Sequence, residues 1–75
     1  MGELTQEFCL REIARNMHNY EDWCGMRIGR SRIDTIYHSL GVPYTYEVTD
    51  WDGNKSIYTD LLQAIDAFIE VNNSK

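Results

Sequence analysis

A chain of 75 residues makes a single domain, spanning residues 1–75 and near the lower size limit for folding alone. The net charge is −5 at pH 7, with five Arg against six acids in residues 1–40 and two Lys against six acids in residues 41–75, a balance that discourages non-specific nucleic-acid binding. Two cysteines, Cys9 and Cys24, form at most one bridge, and no apolar run is long enough to span a membrane, so a disulfide scaffold and a membrane-spanning protein are both excluded.

The first helix is expected from Thr5, a residue suited to capping, with Glu7 in the positive first turn. Leu10, Ile13, Ala14 and Met17 recur at helical spacing and predict its buried stripe, and Glu7 stands four residues before Arg11 in the favourable order for an ion pair. Residues 21–28, interrupted by Gly25 and Gly29, read equally as a short helix or an ordered loop. A second helix is expected from Ser31, with Asp34 reaching back to the cap and Ile33, Ile36, Tyr37 and Leu40 forming the buried stripe. Gly41 then supplies a left-handed stop and Pro43 forbids resumption.

Residues 44–49 alternate as a strand, and Asp52-Gly53 is a strong hairpin signal. A two-residue turn, or a four-residue loop from Trp51 to Asn54, puts Val48 opposite Ile57, Tyr46 opposite Thr59 and Asp50 opposite Lys55. That register sends Tyr44, Tyr46, Val48 and Ile57 inward and leaves Trp51 and Tyr58 outside with Glu47 and Thr49. Thr59 or Asp60 caps a last helix whose apolar face is Leu61, Leu62, Ile65, Phe68 and Ile69, fraying from Asn72 onward. The small residues Ala64, Ala67 and Val71 form a second strip, suited either to the first helix or to a homodimer contact. The expected fold is therefore α+β, in the order helix, short helix or loop, helix, strand, strand, helix, with a two-stranded antiparallel hairpin packed on the helices.

The chemistry of these residues is sparse. Cys9 and His18 lie nine residues apart, on opposite sides of a continuous helix, so Cys9, His18, Cys24 and His38 do not predict a zinc site. Asp50-Trp51-Asp52-Gly53-Asn54 lacks the spacing of a calcium loop, with Leu61 where the twelfth-position Glu belongs. No nucleophile elbow or phosphate-binding glycine loop occurs, and the closest paired carboxylates, Asp50 and Asp52, sit at a solvated turn. No catalytic residue, cofactor or metal is expected. Nor is there a basic, apolar leader at the start of the chain, so the expected setting is the cytoplasm, with free thiols.

Binding remains. Trp51 and Tyr58, beside Glu47 and Asp52, predict a surface that meets a basic, apolar region of a protein partner. This points to a small inhibitor or adaptor acting by occupation. In size, acidity and lack of catalytic motifs the chain resembles the accessory proteins of phages and mobile elements, a resemblance of form that rests on no motif. The alternative is DNA binding. The run from Met26 to Tyr37 resembles the turn and recognition helix of a helix-turn-helix, with Arg27, Arg30, Ser31 and Arg32 at the helix start and Lys55 near the tip of a wing. Asp22 and Trp23 depart from that motif, and Asp50 and Asp52 in the wing would repel phosphate.

Overall fold

In a computed structural model, which describes residues 4–19 and 25–73 (the side chains of 18 and 19 excepted), Thr5 caps the first helix. Its Oγ1 accepts from the Phe8 amide at 3.1 Å and its carbonyl from the Cys9 amide at 3.0 Å. Helix α1 runs Gln6–Asn19, and the expected Glu7–Arg11 pair forms at 2.9 Å. The buried stripe lies a third of a turn from the expected one. Cys9 and Ile13 enter the core, whereas Leu10, Ala14 and Met17 are exposed. Asn16 accounts for part of the rotation, because its Nδ2 donates to the Gly25 carbonyl at 2.8 Å and turns that side of the helix towards the sheet.

The largest departure comes next. Residues 25–36 are a β-hairpin, with β1 at Gly25–Ile28 and β2 at Ser31–Ile36, in place of the expected short helix or loop and the helix from Ser31. Gly29 and Arg30 form its two-residue turn, with Gly29 at φ 59° in the glycine-first pattern of a type II′ hairpin. Two periods compete in this segment. Ile33, Ile36 and Tyr37 fit a helix, but Ser31, Ile33 and Thr35 alternate with Arg32, Asp34 and Ile36, and the β-branched residues favour the pleated surface. Long-range pairing decides: β2 is the inner neighbour of both β1 and β3. Ser31 therefore caps no helix and Asp34 does not reach back to it. Asp34 accepts from Arg32 on its own strand at 2.8 and 2.9 Å.

Strand β3 (Thr45–Thr49) and β4 (Lys55–Tyr58) complete a four-stranded antiparallel sheet in the order β1-β2-β3-β4, and α2 (Leu61–Asn73) closes the described chain. The fold is α+β with two helices and four strands instead of three helices and two. The β3–β4 register is also one residue from the expected one: Tyr46 faces Tyr58, Glu47 faces Ile57, and Thr49 faces Lys55. The connection is odd in length. The Gly53 amide donates to the Asp50 carbonyl at 3.1 Å and the Asp50 amide to the Asn54 carbonyl at 2.9 Å, leaving Trp51, Asp52 and Gly53 as a three-residue loop with Gly53 at φ 91°. A one-residue slip exchanges the faces of a whole strand. Tyr58 is thus half-buried on the side of the helices, and Ile57 is exposed.

Both helices cover one sheet face and run antiparallel, α1 descending towards Gly25 and α2 rising towards Asn72. Cys9 and Ile13 from α1, Met26, Ile33 and Val48 from the sheet, and Ala64, Ile65 and Phe68 from α2 form the core. Each fully buried Ile or Phe contributes about 1.5–3 kcal/mol. Asp60 caps α2, accepting from the Gln63 amide at 3.2 Å, and Gln6 ties the helices through Asp66 at 2.7 Å. No helix among the described residues is long and apolar enough to cross a membrane.

Candidate functional site

Trp51 stands at the end of the sheet where the β1–β2 and β3–β4 turns meet. Its indole lies directly over Gly29, so close that a Cβ built there would sit 2.7 Å from Cζ3 and 2.9 Å from Cζ2. Gly29 is therefore required twice, by its positive φ and by the ring above it. The indole Nε1 donates to Asn72 Oδ1 at 3.1 Å, and the Ser31 hydroxyl, fully buried, lies 3.0 Å from the same oxygen and 2.7 Å from the Ile28 carbonyl. Asn72 Nδ2 in turn donates to the Phe68 carbonyl at 2.9 Å. The residue expected to begin a fraying tail thus joins the last turn of α2 to both hairpins. Trp51 is half-buried and fixed, not a free indole at a ribbon tip.

The other side of that ring lines a groove of about 460 Å³ between the β3–β4 hairpin and α2. Asp50, Asp52 and Glu70 supply carboxylates, Trp51 and Tyr58 supply aromatic walls, and Ala67 and Val71 form the apolar side. The small-residue strip of α2 is thereby divided. Ala64 is fully buried in the core, while Ala67 and Val71 face the groove. Asp50 is held in place by its own loop: Oδ1 accepts from the Asp52 and Asn54 amides at 2.9 Å each, and Oδ2 from Asn54 Nδ2 at 3.2 Å. The bond from the Asn54 amide, reinforced by the Asn54 side chain and the Asp52 amide, holds the Asp50 carboxyl below its ordinary range.

The opposite sheet face is open and charged. Register places Arg27, Arg32, Thr49 and Lys55 in one row across all four strands, with Asp34, Glu47 and Ile57 in the row beside it. Arg32 pairs with Asp34, and Lys55 lies 3.7 Å from Glu47 instead of pairing with Asp50. Thr49 is covered to 8% exposure, and its Oγ1 has no hydrogen-bond partner among the described residues. Arg30 occupies the exposed β1–β2 turn, and Ser31 lies on the other face, inside the protein.

Three of the four residues expected to meet a protein partner, Trp51, Asp52 and Tyr58, therefore converge on one groove, and Glu47 belongs to the opposite face. Of the five expected to meet DNA, Arg27, Arg32 and Lys55 share a row, Arg30 lies beyond its end, and Ser31 is withdrawn. The arginines stand on a sheet, and no recognition helix carries them. Glu70, Ala67 and Val71 were missed as groove residues. Their helical spacing on one side of α2 is legible, but it points at the hairpin only once Tyr58 is turned to that side. Among the described residues no three His, Cys, Asp or Glu side chains are grouped to hold a metal ion. Cys9 is a buried free thiol whose pKa is raised by burial and then by Glu12, His38 bonds Thr45 Oγ1 at 2.8 Å, and Cys24 and the His18 side chain lie outside the described residues. No protein-family model, curated protein or solved structure matches the chain.

Proposed function

We propose that this domain is a non-enzymatic protein-binding module, an inhibitor or adaptor that acts by occupying its partner's surface, and that its groove takes a basic side chain from that partner. The observation that carries this reading is the placement of Trp51 and Tyr58 beside Asp50, Asp52 and Glu70. Lysine and arginine each have an apolar stem and a cationic head. The rings and the Ala67–Val71 wall suit the stem, and an arginine head over an aromatic face gains about 0.5–2 kcal/mol. The carboxylates suit the head through charge-assisted hydrogen bonds. Because Trp51 is anchored through Asn72, little side-chain freedom is lost on binding. The net charge of −5 steers a cationic partner towards the domain. An accessory protein of a phage or mobile element that blocks a host enzyme is a setting this reading fits.

The test is titration of the ¹⁵N-labelled protein with N-acetyl-arginine amide, using the citrulline analogue as the uncharged control. The Trp51 indole resonance and the Tyr58 amide should shift with the arginine compound alone. The shift should weaken with added salt and fall away in Asp52→Asn/Glu70→Gln. Equal shifts with citrulline, or shifts confined to Arg27, Arg32 and Lys55 neighbours, would overturn the reading.

The cationic row supports a second reading, contact with a nucleic-acid backbone through the open sheet face. It stands behind the first because Arg32 and Lys55 already face Asp34 and Glu47. Salt-sensitive binding to mixed duplex DNA that disappears in Arg27→Ala/Arg32→Ala would put it first.

A further inference from the structure

Residues 35–46 contain no Asp, Glu, Lys or Arg, the longest such run in a chain that is 25% charged. Most of it, residues 37–44, connects β2 to β3 as a finger at the end of the sheet opposite the groove. Strand β3 separates the two features, adding about 3.3 Å per residue over its five residues.

The finger is ordered by its own contacts. The Val42 amide donates to the Ser39 carbonyl at 3.0 Å, closing a turn with Gly41 at φ 86° in its third position. The Tyr37 and Tyr44 rings pack edge to face with centroids 5.9 Å apart, and His38 bonds Thr45 across the base. This frame holds Leu40 at the tip, 95% exposed, with Tyr37, Val42 and Tyr44 around half exposed beside it. The solvent gains nothing from such a tip, and the chain's own core does not use it.

We propose that this finger is the contact through which two copies of the chain pair, Leu40 against Leu40, with the acidic groove of each copy facing away. A two-fold interface sets each surface against itself, so like charges oppose one another across it. Most of the surface of a protein with net charge −5 carries acids that resist this approach, the groove foremost. The finger carries no fixed charge and is the surface on which two copies meet with least repulsion. Its four apolar side chains offer on the order of 500 Å² per copy, about 1,000 Å² for a pair, the lower limit for a specific interface. The pairing is therefore weak, with a dissociation constant on the order of tens of micromolar. It does not depend on the proposed role of the groove.

Sedimentation velocity over a concentration series tests it with the protein as it stands. The wild type should pass from monomer to dimer and no further, and the dimer should tighten with added salt as repulsion between the copies is screened. Leu40→Asp should remain monomeric throughout with an unchanged melting temperature, since Leu40 touches no core. Leu10→Asp, on the exposed side of α1, should dimerise like the wild type. A monomer at every concentration would overturn the proposal, as would a dimer that survives Leu40→Asp. Leu40-dependent flotation with phosphatidylcholine vesicles in the absence of self-association would also overturn it, assigning the finger to a lipid surface.

Discussion

Replacing Gly29 with alanine separates two costs that the Trp51 lock imposes together. The first is conformational: Gly29 has φ 59°, and an L-residue in the left-handed region costs about 1–2 kcal/mol. The second is steric, because the new methyl would occupy space already filled by the Trp51 ring. Moving the ring breaks its bond to Asn72, worth about 1 kcal/mol, and exposes part of its half-buried surface for about another 1 kcal/mol. Gly53→Ala is the internal control. Gly53 has φ 91° but nothing within 4 Å of its Cβ position, so it incurs the first cost alone. The expected losses are about 3–4 kcal/mol for Gly29→Ala and about 1–2 kcal/mol for Gly53→Ala, against about 3–5 kcal/mol for a whole domain of this size. Urea denaturation in a Trp23→Phe background, followed by Trp51 fluorescence, measures both. Equal losses in the two variants would refute the placement of the indole over Gly29.

Three further outcomes follow from the same contacts. Asn72→Ala leaves the Trp51 Nε1 without its partner and removes the bond to the Phe68 carbonyl, and should cost about 1–3 kcal/mol in urea denaturation, more than expected of a fraying helix end. Asp50 has a depressed folded-state pKa, so its contribution is present above the ordinary carboxylate value and is lost as pH falls through the folded value. The melting-temperature gap between wild type and Asp50→Ala should accordingly be full at neutral pH and close in acid. The register is tested by a pair of variants: Ile57→Ser, at 55% exposure, should stay within about 0.5 kcal/mol of wild type. Tyr58→Ala, whose ring packs against the core, should cost about 2 kcal/mol or more.

Local chemistry was legible wherever a single residue decides it. Thr5 and Asp60 cap the two helices because their side-chain oxygens meet free amides whatever the rest of the chain does. Gly41 and Gly53 both take positive φ, and Gly41 closes a β-turn in place of a helix. Residues 31–40 were not legible because two periodicities coincide there, and Ser31-x-x-Asp34 imitates a capping box. Only pairing with β1 and β3, distant in sequence, selects the strand. Gly29-Arg30 was the available signal, a glycine-first two-residue turn between Met26-Arg27-Ile28 and the β-branched residues that follow.

The candidate site turns on a still smaller quantity, the parity of one loop. With two or four residues between the last strands, Tyr58 points away from the helices and Trp51 stands alone outside. With three, Tyr58 comes round beside Trp51 and both face Ala67, Glu70 and Val71 across a groove. Asp50 selects the odd loop: its carboxylate collects the Asp52 and Asn54 amides, and this fits a loop with Gly53 left-handed in third place. The residue read as a cross-strand partner of Lys55 is thus the one that shapes the site. Lys55, released from it, turns to Glu47 on the opposite face. The same slip therefore gathers carboxylates and rings on the groove side and leaves the cations on the open face. A chain of net charge −5 thereby presents an acidic, aromatic concavity and a charge-matched sheet as separate surfaces.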